Sequence, residues 1–330
     1  MPYKTLVLGG TGFIGHHIVR ELLENGHSVR VMARPNRNRS LLEGMDVEIV
    51  DGDLSKTSTI LAALEGCDAL IHAAAYYPIF CFDPKKEAEF GRSQILRIQE
   101  ALTRHPVERF VYISGPAAVG RYADGRPEDE DSPWPQIRMK SAYARVKREM
   151  QDLVLYNGKK HNAIVAAPGG VFGPGDRKPT SGRVIVDIAK NHMPIALRGR
   201  ANAASVFAVA EGIRLALEKG KVGRLYVLGQ ENLTIPDLMK RMAKITGGTS
   251  PKITLSPEFV RPQLLIAERL AFHAGKPAPL MPLIAADFAL FGEYMSSDVA
   301  KAELGYDPSK YPLDEALKQA YEWFKEKGMV

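Results

Sequence analysis

Strand and helix segments alternate through the first half of this chain, and that alternation predicts an α/β fold with a doubly wound parallel sheet. Three observations carry the prediction. Residues 5–15, TLVLGGTGFIG, form an apolar strand that breaks into Gly9, Gly12 and Gly15 at a spacing of three. Behind it, Ile14, Ile18 and Leu22 recur at helical spacing before Gly26 closes the run. The later strands are near-continuous apolar stretches, as strands covered on both faces are.

The first turn has a specific physical use. Gly9 allows a backbone angle that a side chain would forbid, Gly12 lets the main chain approach a bulky anion, and Gly15 lets the helix pack close to the strand. The helix start, with Thr11, Phe13 and Ile14 around it, offers unpaired N–H groups and the positive end of a dipole, which suits a pyrophosphate. Loops also collect glycines for turns alone. Here a second strand over 28–34 follows at the distance a βαβ unit needs, so the expectation is a dinucleotide-binding turn.

Composition agrees. A chain of 330 residues with 45% hydrophobic content can bury a large core, in one big domain or two of moderate size. The two cysteines, Cys67 and Cys81, sit in a chain too long to need covalent staples, which predicts a reduced, cytoplasmic setting. No CxxC or Cys/His cluster points to a metal. The first strand begins at once, so no signal peptide is expected, and no apolar run reaches the length of a membrane span. The net charge of +6 is spread along the chain apart from Arg34, Arg37 and Arg39, and no zinc-finger or RNA-binding signature accompanies it. Nucleic acid is therefore not an expected partner.

That arginine cluster lies just past the second strand, where a dinucleotide fold chooses its cofactor. An Asp or Glu there accepts hydrogen bonds from the adenosine 2′-hydroxyl, whereas a cation accommodates a 2′-phosphate. The sequence gives Val31, Met32, Ala33 and Arg34. A planar guanidinium also holds phosphate or lies flat on adenine. Against the alternative of a solvated basic loop, Arg34 and Arg37 favour NADP(H) over NAD(H).

The chain then continues as strand 46–53, helix 57–65, strand 68–75, helix 84–104, strand 109–115, helix 136–156 and strand 162–170. Ligands of such a sheet bind at the carboxyl ends of its strands. Asp53 and Leu54 end the third strand within reach of an adenine. Ala73, Ala74 and Ala75 leave room for a cofactor against the backbone, and Pro168, Gly169 and Gly170 end the last strand.

Chemistry needs a titratable group beside the nicotinamide, and Tyr143 with Lys147 is the candidate. Four residues apart on a helix, they share one face. A free phenol has a pKa near 10, and a neighbouring ammonium is expected to lower it into use as an acid/base. The Tyr-x-x-x-Lys spacing occurs four times, at Tyr143, Tyr156, Tyr306 and Tyr321, but only Tyr143 falls inside a long helix after the fifth strand. A surface or packing role is the bland alternative.

GGTGFIG at 9–15, GDL at 52–54, HAAA at 72–75, YARVK at 143–147 and PGGVFGPGD at 168–176, in that order, resemble the extended short-chain dehydrogenases/reductases. That group holds sugar-nucleotide epimerases and dehydratases, dihydroflavonol-4-reductase-like reductases and 3β-hydroxysteroid dehydrogenase-like proteins. The resemblance covers nearly the whole chain and implies a Rossmann-type sheet. It implies that Gly9, Gly12 and Gly15 bind the pyrophosphate, Arg34 the 2′-phosphate, and Asp53 and Leu54 the adenine. Tyr143 would be the acid/base, Lys147 would hold the nicotinamide ribose, and Val171 would face the carboxamide.

Two departures stand out. The family usually places a serine or threonine after the fifth strand, in a stretch like TSSxxVYG, to orient the substrate oxygen. Counting back from Val119 lands on Gly115 or Pro116, so Ser114 is one or two places early and serves only through a shifted loop. The family's helical asparagine would fall around Gly91. Loss of one oxygen-polarising donor typically slows such chemistry about 100-fold or more.

Residues 1–170 are expected to form the dinucleotide-binding domain, with segments around 200–230 returning to it, and 171–330 a smaller, mostly α substrate region docked closely on it. Helices are expected over 183–191, 207–219, 234–246 and 313–327, with strands over 194–198 and 225–228. The apolar stretch 259–294 lines a substrate pocket, covers a homodimer partner or completes the core. A pocket lining implies a bulky apolar substrate, while Arg183, Arg198 and Arg200 remain available for a sugar diphosphate. Three readings follow: an NADPH-dependent reductase or dehydrogenase of apolar carbonyls and alcohols, a nucleotide-sugar epimerase or dehydratase with tightly bound cofactor, and a catalytically weak cofactor-binding protein.

Overall fold

The computed structural model describes residues 2–74, 76–78, 81–276, 282–292 and 294–330, with Lys140 described in its main chain only. The chain opens with β1 (Lys4–Leu8), α1 (Phe13–Glu24), β2 (Ser28–Ala33), β3 (Glu48–Asp51), α2 (Thr57–Leu64) and β4 (Ala69–His72). It continues with α3 (Pro84–Arg104), β5 (Arg109–Ile113), α4 (Ala142–Tyr156) and β6 (Ala163–Pro168). Next come β7 (Gly170–Phe172), α5 (Arg183–Ala189), β8 (Ile195–Leu197), β9 (Arg200–Ser205), α6 (Val206–Lys219) and β10 (Leu225–Leu228). The remainder is β11 (Glu231–Thr234), α7 (Ile235–Thr246), β12 (Ile253–Leu255), α8 (Pro257–His273), α9 (Leu283–Phe291), α10 (Asp298–Leu304) and α11 (Leu313–Glu326).

Seven strands form one parallel sheet in the order β10-β6-β5-β4-β1-β2-β3. The order reverses between β1 and β4, and such a reversal opens a crevice at the carboxyl edge. Alternate side chains divide between two cores. Val7, Val31, Ile71 and Val111 meet Ile18, Leu22, Val209 and Ile213 of α1 and α6 on one face. Leu6, Leu8, Leu70, Phe110 and Tyr112 meet Ile60, Ile95, Ile98, Val146 and Met150 of α2, α3 and α4 on the other. A third core joins α5, α7 and α11 over a small sheet of β11, β9 and β7.

Where the structure departs from the expected elements, local chemistry explains it. The helix expected over 136–156 is a 3₁₀ turn, Gln136–Lys140, followed by α4, and Ser141 separates them by accepting from the Ala144 amide at 3.5 Å. A serine at that point starts a helix better than it continues one. The strand expected over 162–170 divides into β6 and β7 at Gly169, where an added Cβ would meet Asn202 Oδ1 at 2.3 Å. β9 was not foreseen because its sequence, RANAAS, lacks branched and aromatic residues. It nevertheless pairs with both β7 and β11. β10 joins the main sheet beside β6, and the apolar stretch 259–294 contains α8 and α9.

No helix among the described residues is long and apolar enough to cross a membrane. Among them, no group of three or more His, Cys, Asp or Glu side chains is placed to hold a metal ion.

Three buried histidines set the acid response. Burial holds His16 down to about 4, and His17 and His72 down to about 3, so each folds neutral. In the unfolded chain they take up protons near pH 6.5. Their stabilising contribution is complete above that pH and is lost as pH falls toward 4 and then 3. His161 shifts the same way, while Asp176, pushed up to about 6 by burial, opposes them between about pH 6 and 4, joined by Glu128, Glu130 and Glu268, which burial also raises. Thermal melts should show Tm declining steadily below pH 6.5; a level Tm down to pH 4.5 would contradict the neutral burial.

Candidate active site

The first turn is closed to side chains on its inner face and open on its outer one. Gly9 has φ +89°, and an added Cβ would lie 2.6 Å from the Ala74 nitrogen. At Gly15 a Cβ would lie 2.1 Å from the Gly9 oxygen, so β1 and α1 touch through main chain. Gly12 donates to the Gly9 oxygen at 2.9 Å and caps α1 without any side-chain acceptor. No acidic residue occupies the first turn of α1. Thr11 is buried beside it, while Phe13 and Ile14 pack on the sheet core. A helix start left bare in this way fits an anionic pyrophosphate, which would take up the first-turn N–H groups. Ala73 donates to the Leu8 oxygen at 2.8 Å, which fixes Ala73 and Ala74 against this turn; Ala75 lies outside the described residues.

At the far end of the crevice, Arg34 follows β2, and both Arg34 and Arg37 are exposed. Asp53 accepts from the Ser55 amide at 2.8 Å, and that bond, with the Arg34 charge adding to it, holds its carboxyl below the usual range. Leu54 packs on the core beside α2. Arg39, the third member of the basic run, is engaged by Asp51. The sequence reading missed Arg177, which reaches back to Asn38 Oδ1 at 2.9 Å and to the Ser40 hydroxyl, adding a cation beside Arg37. No spacing in the sequence signals that contact, because 139 residues separate its ends.

The reactive end is built on α4. Its buried residues are Tyr143, Ala144, Val146, Lys147, Met150, Gln151 and Val154, so a phenol and an ammonium share a mostly apolar buried side with one amide. Lys147 makes no hydrogen bond among the described residues and is 3% exposed. Burial pushes the Lys147 ammonium down to about 8 and the Tyr143 phenol well above its ordinary value. This corrects the expectation of a phenol lowered by its neighbour: in the protein alone, burial moves both groups toward their neutral forms. The ring of Tyr143 lies 4.7 Å from that of Tyr77 and 5.3 Å from that of Phe288, centroid to centroid. His72, the last residue of β4, is fully buried next to Tyr112 and feels the Lys147 charge.

The loop after β5 decides what faces Tyr143. Trp134 donates to the Ala117 oxygen at 3.1 Å, Arg148 and Gln151 to that of Ala118 at 3.1 and 3.3 Å, and Arg138 to that of Val119 at 2.8 Å. Arg138 also donates to the Phe291 oxygen at 3.1 Å, tying this loop to α9. Held this way, Gly115 presents the position whose added Cβ would stand 3.5 Å from Tyr143 Oη. Ser114 Oγ is buried with no hydrogen-bond partner among the described residues, and four side chains hold the main-chain oxygens of residues 117–119 that follow it. Gly91 lies where α3 crosses α4, and a Cβ there would meet Met150 Sδ at 2.9 Å, so no asparagine fits.

Pro168 ends β6 and Gly170 opens β7, whose pairing with β9 buries Val171 beneath the edge. The Ser181 hydroxyl donates to the Val171 oxygen and so fixes that strand. The carboxyl ends of β1, β4, β5 and β6 thus bring the glycine turn, Ala73 and Ala74, Gly115 and Pro168 to one sheet edge.

The family model for the NAD dependent epimerase/dehydratase family matches residues 5–229. A dihydroflavonol 4-reductase-like protein of Synechocystis is 30% identical, over 98% of this chain and 95% of the relative. Sterol demethylase protein B of Methylococcus capsulatus is 27% identical, over 99% of each. Among solved structures, a nucleoside-diphosphate-sugar epimerase from Pseudomonas aeruginosa superposes with a TM-score of 0.82 at 26% identity, over 99% of each chain.

Lys147 gives this site a pH signature. An anionic dinucleotide favours the ammonium form, so binding above the free-protein value of about 8 must first protonate the lysine. NADPH affinity should fall as pH rises from 7 to 9.5, by fluorescence titration, and Lys147→Met should abolish that slope. A flat profile in the unsubstituted protein would place Lys147 away from the cofactor.

Proposed function

The chain belongs to the NAD dependent epimerase/dehydratase family, whose members are extended short-chain dehydrogenases/reductases, and from that premise we propose that it is an NADP(H)-dependent oxidoreductase of bulky, apolar carbonyls and alcohols. The observation that carries this reading is the shared buried stripe of Tyr143 and Lys147, facing an aromatic wall of Tyr77 and Phe288 at the crevice of the sheet.

Gly9, Gly12 and Gly15 with the bare start of α1 would hold the pyrophosphate, and Thr11, Phe13 and Ile14 would frame it. Arg34, Arg37 and Arg177 would surround the adenosine 2′-phosphate, while Asp53 and Leu54 would face the adenine. Ala73, Ala74, Pro168, Gly170 and Val171 would border the nicotinamide half. When bound, the cofactor supplies or accepts the hydride at the substrate carbon. Tyr143 gives its Oη proton to the substrate oxygen in reduction and takes it back in oxidation. Lys147 stabilises the phenolate formed in between by placing an ammonium four residues along the same stripe. The scheme assigns no step to Ser114, whose buried Oγ has no hydrogen-bond partner among the described residues.

The apolar wall supports a substrate without a diphosphate, in line with the sterol in the name of the Methylococcus relative. A second reading, the nucleotide-sugar epimerase, draws on a cleft of about 520 Å³ beyond α9 lined by Arg121, Arg198 and Arg200. Arg121 is bonded to the Gly292 oxygen at 2.8 Å and Arg200 to the Gly125 oxygen at 2.9 Å, so both guanidinium groups are partly engaged by main chain and fixed in place. That reading therefore ranks second.

A panel of apolar ketones, aldehydes and nucleotide sugars, followed by NADPH absorbance and product analysis, separates the readings. Tyr143→Phe should lower turnover at least ~100-fold while NADPH affinity holds. Unchanged turnover would leave a cofactor-binding protein whose phenol does no chemistry. Arg34→Asp should weaken NADPH far more than NADH; equal loss for both would remove the 2′-phosphate assignment.

A further inference from the structure

Reduction of a carbonyl gathers negative charge on its oxygen, and a site that offers that oxygen two fixed donors stabilises the charge better than one. Tyr143 is one donor. In the loop opposite, residue 115 is glycine, Pro116 has no N–H, and Ser114 Oγ is buried with no hydrogen-bond partner among the described residues.

Around Tyr143 the chain nevertheless places another hydroxyl. Tyr77, in the segment between β4 and α3, sets its ring 4.7 Å from that of Tyr143 at an interplanar angle of 60°. Its hydroxyl makes no hydrogen bond among the described residues and is not one of the sealed polar atoms. The other candidates are spent or shut in. The Tyr76 hydroxyl donates to the Glu87 carboxylate, Tyr112 Oη is fully buried without a partner, and Phe288 on the remaining side has no polar atom. Tyr77 therefore combines nearness to the acid/base, a free O–H and access to the pocket.

We propose that Tyr77 is a second catalytic hydroxyl, donating a hydrogen bond to the substrate oxygen beside Tyr143 and standing in for the side chain that residue 115 lacks. The inference rests on the oxidoreductase reading above. Tyr77 keeps its proton throughout, and the proton that leaves is that of Tyr143. Burial raises the Tyr77 pKa, which keeps the phenol in its donor form at every working pH. The same ring face that positions the hydroxyl also lies flat against an apolar substrate, so one residue serves charge and shape together.

The test is a cycle of Tyr77→Phe and Gly115→Ser, in which serine is sterically permitted because an added Cβ at 115 meets nothing closer than Tyr143 Oη at 3.5 Å. Tyr77→Phe should lower kcat tenfold or more, with KM for the carbonyl and NADPH affinity little changed. Adding Gly115→Ser should restore much of that loss, because the new hydroxyl faces the same oxygen. A loss under tenfold overturns the proposal. So does a larger loss that Gly115→Ser leaves in place, since Tyr77 would then only shape the pocket. If Tyr143→Phe is inactive while Tyr77→Phe is not impaired, this inference falls alone; if Tyr143→Phe is fully active, the oxidoreductase reading falls with it.

Discussion

Desolvation of two ionisable side chains in one helix stripe is the constraint on which this site depends. Tyr143 and Lys147 occupy positions that helix geometry turns toward α3 and the sheet, where Val146, Met150 and Val154 are apolar. Water is excluded from both, and the loss of hydration shows as a harder phenol and a softer ammonium. Buried charge is costly unless something pairs with it. Among the described residues Lys147 has no hydrogen-bond partner, so the site reaches electrostatic completion only with an anionic ligand in the crevice. Above about pH 8, where the buried lysine would lose its proton, an anionic ligand beside it would favour the ammonium form.

The scaffold holds that device rigid from two sides. On one, Gly91 lets α3 come close enough to α4 that Met150 and Val146 fill the gap. On the other, the loop after β5 is tied by Trp134, Arg138, Arg148 and Gln151, all bonding to its carbonyl oxygens. Arg138 is fully buried and reaches α9 as well, so the wall that carries Phe288 moves with the loop that carries Gly115. One of the histidines that set acid stability, His17, pins the strap beyond β7 to α1 through the Pro174 oxygen at 2.9 Å. Packing and chemistry share residues here.

Legibility followed the range of the forces involved. The glycine turn, the alternation of the sheet and the Tyr143 and Lys147 stripe are set by neighbours a few residues apart, and each stands where the periodicity placed it. The small-residue strand β9 escaped because its stability comes from partners on both sides rather than from its own side chains. Arg177 and Arg138 escaped for a related reason: their value lies in contacts with Asn38 and Phe291, 139 and 153 residues away in sequence. Ser114 stays a proposal, because counting residues locates a loop position but not what its hydroxyl will meet. The lowered phenol was expected from charge alone, and burial, which only the packed structure reveals, reversed its direction.

Loss of a hydroxyl at residue 115 has a consequence for substrate size. A serine there would put an oxygen between Tyr143 and the loop, whereas glycine widens the pocket at the point where the reacting oxygen sits, and the aromatic rings of Tyr77 and Phe288 take over as walls. Flat rings bury large apolar area and prefer tilted contact with other rings. On the proposed function, a planar or fused-ring ketone would fit that surface better than a hydrated sugar, whose many hydroxyls outnumber the one that Tyr77 offers. Catalytic polarity and substrate preference would then shift together at one position, because a missing side chain both empties space and leaves the task of binding the oxygen to an aromatic residue.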